Sequence, residues 1–196
     1  MNQNREYRTM VMNLPKSNEH DYVVEGYAST TEPYALFEDE GVTYYERIEP
    51  TAFDNADMSD VVFRLEHEGA VYARTKSGDL SLRPDAHGLH SRADLSRTQR
   101  SMDVWEEINA GHYSEMSFAF VVGKEHYERV SHTRVIDEIA KVYDVSPVAF
   151  PANPTTNIQA RAFIDGEIEK ERAERREAER REQLKKRIKI LLEVQK

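Results

Sequence analysis

The sequence predicts a β-rich domain with one peripheral helix, followed by a charged helical tail. Three observations carry that expectation. Up to about residue 163, Pro and Gly separate short segments rich in Val, Tyr, Phe and Thr, the pattern of strands joined by turns. Between Ser96 and Gly111 the apolar spacing becomes helical. From Asp165 to Lys196 there is no Pro and one Gly, and nine acidic and eleven basic residues stand among strong helix formers. The tail thus contributes +2 to a chain of net charge −9, leaving about −11 on the first 164 residues. The expected division is a domain at 1–163 and a tail at 164–196.

The predicted strands are Tyr7–Asn13, Tyr22–Ser29, Val61–His67, Leu80–Arg83, Leu89–Asp94, Glu115–Val122, Arg134–Asp137 and Lys141–Phe150. The helix is expected to open on a capping box, Ser96 with Gln99. It turns Val104, Trp105 and Ile108 inward and ends with Gly111 at the position that favours a left-handed residue. In the tail, Glu171 with Arg175, Glu177 with Arg181 and Glu182 with Lys186 are spaced to pair along one helix, each pair contributing a few tenths of a kcal/mol. Leu184, Ile188, Leu191 and Leu192 share one face near its end.

Composition removes several function classes. With 196 residues the chain suffices for one domain and an appendage. There is no cysteine, hence no disulfide scaffold, thiol nucleophile or Cys-based zinc site. No run approaches the roughly 18 apolar residues of a membrane span, and the first ten residues hold no apolar leader. The expectation is a soluble intracellular protein with no membrane partner. A net charge of −9 argues against a general nucleic-acid binder.

Period-two alternation puts one reactive side chain among apolar neighbours on each of three strands. In Val61–His67, His67 continues the face of Val61, Phe63 and Leu65. In Glu115–Val122, Ser117 lies opposite Met116, Phe118 and Phe120. In Lys141–Phe150, Asp144 shares a face with Val142, Ser146, Val148 and Phe150. A buried carboxylate needs hydrogen-bond donors, and an imidazole N–H is a natural one. Taken alone, the pattern also fits a core histidine, a space-filling serine and an aspartate bonded locally to Ser146. The chain order His, Ser, Asp matches no familiar local motif.

Five blocks add to this reading. They are GYAS (Gly26–Ser29), ERIEPTAFD (Glu46–Asp54), VVFRLEHE (Val61–Glu68), YSEMSFAF (Tyr113–Phe120) and YDVSPVAFPANPTTNI (Tyr143–Ile158). In this order they resemble the HK97-type phage prohead (capsid maturation) proteases, serine peptidases related in fold to the herpesvirus assemblins. The departures are Thr51 and Ala119 where that family often has Gly, Glu68 where it has Asp, and Asp144 where it usually has Glu. The resemblance implies a closed or partly closed mixed β-barrel and a serine endopeptidase that needs no metal or cofactor. It implies His67 as base, Ser117 as nucleophile and Asp144 as the group orienting the imidazole, with Arg129 or Arg134 as the loop arginine that assists the oxyanion. It further implies action on the major capsid protein, its scaffolding segment and the protease itself, as a dimer or higher oligomer. The place would be the procapsid within the host cytoplasm, and the tail would dock on helical scaffolding segments through the Leu184 edge.

Rival readings attach to particular residues. Asp85, His87 and His90 suggest a metal-dependent hydrolase, although residues three apart on a strand face opposite ways and Gly88 favours a solvated hairpin. His112, five residues before Ser117, is the rival base, or else interacts with the helix end. His126 and His132 sit in loop-like contexts. A protease-like assembly protein without catalysis is the third reading.

Overall fold

The computed structural model describes residues 5–11, 21–150 and 158–194. Two compact units divide between Asn157 and Ile158. Among the described residues the first contains ten strands: β1 (Glu6–Val11), β2 (Val23–Thr30), β3 (Tyr34–Asp39), β4 (Val42–Ile48), β5 (Val62–Leu65), β6 (Glu68–Arg74), β7 (Leu80–Pro84), β8 (Gly88–Asp94), β9 (Glu115–Glu128) and β10 (Thr133–Val148). Helix α1 (Gln99–Asn109) lies between β8 and β9. The second unit is α2 (Ile158–Val194), a single helix of 37 residues. Predicted residues Met12, Asn13 and the Pro151–Asn157 part of the last block lie outside the described residues.

Alternation in β9 explains how the core forms. Met116, Phe118 and Phe120 point one way and are at most 1% exposed. They join Phe63, Val142 and Val145 with Val24, Leu89, Ala93, Val104, Trp105 and Ile108 in one apolar cluster. The inward face expected of α1 is therefore the buried one, and Trp105 Nε1 donates to the Val23 carbonyl at 3.1 Å. The cap differs from the expected Ser96. Thr98 Oγ1 accepts from Ser101 N, while Ser96 N is held by Asp94 Oδ1. Gly111 takes the expected left-handed turn, φ 88°.

The barrel expectation is corrected. Strands β1-β9-β10-β4-β3 form one path, with β5 also on β10 and β6 on β5, whereas β2-β8-β7 form a separate sheet. Closure fails because β10 divides its edge. Its start pairs in parallel with β4 (Thr133–Ile136), and its end pairs with β5 (Asp144 and Val145). The sheet forks there, and among the described residues no ladder joins β1 to β3 or β6. β10 also unites two predicted strands across irregular steps between Ile136 and Lys141. No described helix is long and apolar enough to cross a membrane.

Candidate active site

Ser117 and Ser146 lie directly opposite each other on β9 and β10, and Asp144 lies opposite Ala119. Their odd/even positions turn all of them to the face away from Phe118 and Val145. His67 arrives differently from expectation. β5 ends at Leu65, which pairs with Glu68, so Glu66 and His67 form a two-residue hairpin turn. Both are left-handed, with φ of 51° and 60°, the twist a tight hairpin requires. This conformation costs a non-glycine residue on the order of 1 kcal/mol, and three bonds offset it. Arg64 Nη1 donates to the His67 carbonyl at 3.1 Å, Glu66 N donates to the Pro147 carbonyl at 3.1 Å, and Ala149 N donates to Glu66 Oε1 at 2.8 Å. The turn is pinned to the end of β10, and its histidine reaches over the sheet instead of continuing the β5 face.

The three side chains meet. His67 Nδ1 lies 2.6 Å from Asp144 Oδ1, and His67 Nε2 lies 2.7 Å from Ser117 Oγ. Ser146 Oγ donates to the same Asp144 oxygen at 2.9 Å. With Nδ1–H given to the carboxylate, Nε2 is left as the acceptor for the seryl proton. A second acceptor is present: Ser117 Oγ also lies 2.8 Å from the Arg8 carbonyl. Ser117 has no exposed surface, whereas the His67 side chain keeps 16%, so the site opens on the imidazole side. The Tyr7 ring meets the imidazole edge-on, centroids 4.6 Å apart.

β1 pairs with β9 beside this site, and on the face turned away from Ser117 it is held by buried ions. Arg8 pairs with Glu6 and Glu46, and Arg134 pairs with Glu6, Glu46 and Glu125. Tyr34 Oη also donates to Glu46. Burial by itself would raise the Glu46 carboxyl, but the Arg8 and Arg134 charges outweigh it and hold the group below its ordinary value. Arg134, 1% exposed, is thereby committed to the network and is not an oxyanion donor. Arg129 follows the far end of β9, twelve residues beyond Ser117, so neither suggested arginine belongs to the site.

The other histidines lie elsewhere. Asp85 Oδ1 accepts from His87 N and Gly88 N in the β7–β8 hairpin, and His87 and His90 both pack on Tyr27. Among the described residues no three metal-ligating side chains cluster. His112 is exposed, His126 meets Asp137 and His132 meets Tyr127. Sequence reasoning missed Tyr7 and the Arg8 carbonyl, and it treated Ser146 only as a competitor for Asp144. The alternation of β1 that puts Tyr7 and Thr9 on the Ser117 face was the available signal.

A hydroxyl, an imidazole and a carboxylate joined in series in a largely water-excluded site is the arrangement required for nucleophilic acyl transfer. The class is that of a β-rich protein bearing a Ser-His-Asp constellation. The chain belongs to the caudovirus prohead serine protease family, whose model matches residues 8–171. No curated protein and no solved structure matches it.

Proposed function

We propose that this chain is the serine endopeptidase that cleaves the capsid protein, its scaffolding segment and itself while a phage procapsid matures. Ser117 Oγ attacks the scissile carbonyl as His67 Nε2 takes its proton. His67 then protonates the leaving amine, and a water molecule, deprotonated by the same nitrogen, hydrolyses the acyl-enzyme. Asp144 fixes the tautomer and stabilises the imidazolium, with Ser146 holding the carboxylate. A prohead protease works with capsid proteins inside the procapsid in the host cell, and a second copy of the chain is among its substrates. The observation that carries the reading is the continuous Ser117–His67–Asp144 chain of contacts at 2.7 and 2.6 Å.

The test is fluorophosphonate labelling of the protein in procapsids, followed by peptide mapping. Labelling at Ser117, lost in Ser117→Ala and at least a thousandfold slower in His67→Ala, is expected, since losing one triad member costs about 10³-fold or more. No label at Ser117 in procapsids would replace this reading with that of a non-catalytic assembly protein.

A further inference from the structure

Two residues before the nucleophile on β9, Glu115 faces the same side of the sheet as Ser117. We propose that Glu115 determines cleavage specificity by receiving a Lys or Arg side chain of the substrate beside the scissile bond. This inference rests on the serine-peptidase reading.

Glu115 and Ser117 are about 7 Å apart along the strand, the advance of two residues in an extended chain. A substrate with its carbonyl at Ser117 Oγ therefore presents a neighbouring side chain to Glu115. The residue is half-buried, and one of its carboxylate oxygens, Oε2, is buried and has no hydrogen-bond partner. Beside it on β10 stands Val148, 3% exposed, and burial raises the carboxyl above its ordinary value.

Other polar groups on this face are engaged. Ser117, His67, Asp144 and Ser146 bond one another, and Glu66 accepts from Ala149 N. Arg64 has an unpartnered Nε, but its guanidinium is braced on the His67 carbonyl, and its strand β5 lies on the far side of β10 from β9. A half-buried carboxylate with one unpartnered oxygen, two residues from the nucleophile, is complementary to an arriving cation. A neutral side chain there would leave the carboxylate unpaired, which is how such sites discriminate.

The experiment digests a proteome-derived peptide library with the full chain and reads cleavage sites by mass spectrometry, with Ser117 labelling in parallel. Wild type is expected to show Lys or Arg enriched at one position within two residues of the cut. Glu115→Gln is expected to raise KM for a basic peptide about tenfold or more, and Glu115→Lys to shift the preference to Asp or Glu. Both variants should still label at Ser117, which reports a folded site. The same basic preference in Glu115→Gln, no basic preference in wild type, or loss of the label in Glu115→Gln would each overturn the inference while the peptidase reading stands. Wild type that neither labels nor cleaves would overturn both.

Discussion

Arg134→Met tests the buried ion network that holds β1 beside β9, on the face turned away from Ser117. The Arg134 Nη1 atom lies 2.8 Å from Glu6 and 2.7 Å from Glu46, and Nη2 lies 2.8 Å from Glu6. In the native protein two guanidinium groups balance these two carboxylates, all four side chains being at most 5% exposed. Methionine fills much of the volume but leaves Glu6 and Glu46 to share a single cation, Arg8. Breaking a buried pair on one side costs about 3–5 kcal/mol. At about 2–4 °C per kcal/mol for a chain of this size, the expected fall in Tm is about 6–20 °C. Thermal unfolding by circular dichroism at pH 7 measures it. Adding Glu46→Gln to Arg134→Met should recover part of the loss, with a coupling of about 0.5–3 kcal/mol between residues of one network. A fall below about 3 °C would refute the reasoning, because the carboxylates would then have found water or another partner.

Two further outcomes follow from the same contacts. Ser146→Ala removes the hydroxyl bonded to Asp144, and kcat should fall about tenfold with KM little changed, while Ser146→Thr restores most of it; steady-state kinetics on a cleaved peptide decides this. Because Glu46 is held below its ordinary value of 4.5, its stabilising effect is complete above that pH and lost as pH falls through the lower folded value. The Tm difference between wild type and Glu46→Gln should therefore be constant from pH 7 to about 5 and shrink on further acidification, and a constant difference down to pH 3 would contradict it.

Ser117 was legible because period two sorts the apolar from the polar face in β9. Asp144 was legible as a residue, but a bulge between Val142 and Asp144 turns Val142 into the core and away from the face the alternation had it share with Asp144. His67 was legible as a residue but not in its position, since Glu66 and His67 adopt a left-handed turn that usually advertises itself with Gly or Asn. β3, β4 and β6 escaped the sequence reading. The β3–β4 hairpin turns at Glu40 and Gly41 inside an acidic stretch that reads as a loop, and β4 buries the charged Glu46 completely. That burial makes sense only through Arg8 and Arg134, 38 and 88 residues away in sequence, which no local window contains. Asp137 and Glu138 likewise broke one strand into two. Sheet closure depends on pairing between distant edges, and no residue pattern expressed the fork in β10.

The partners of His67 lie 50 and 77 residues further along the chain, and Asp144 meets β5 through a parallel pairing. Loop closure over such separations comes late in folding, and parallel pairing is slow to form. Asp144 follows both His67 and Ser117 in the chain, so a nascent chain that stops short of it holds the hydroxyl and the imidazole without the group that aligns them. The assembly of the three side chains is thereby timed by topology, arising only once β10 has paired with both β9 and β5.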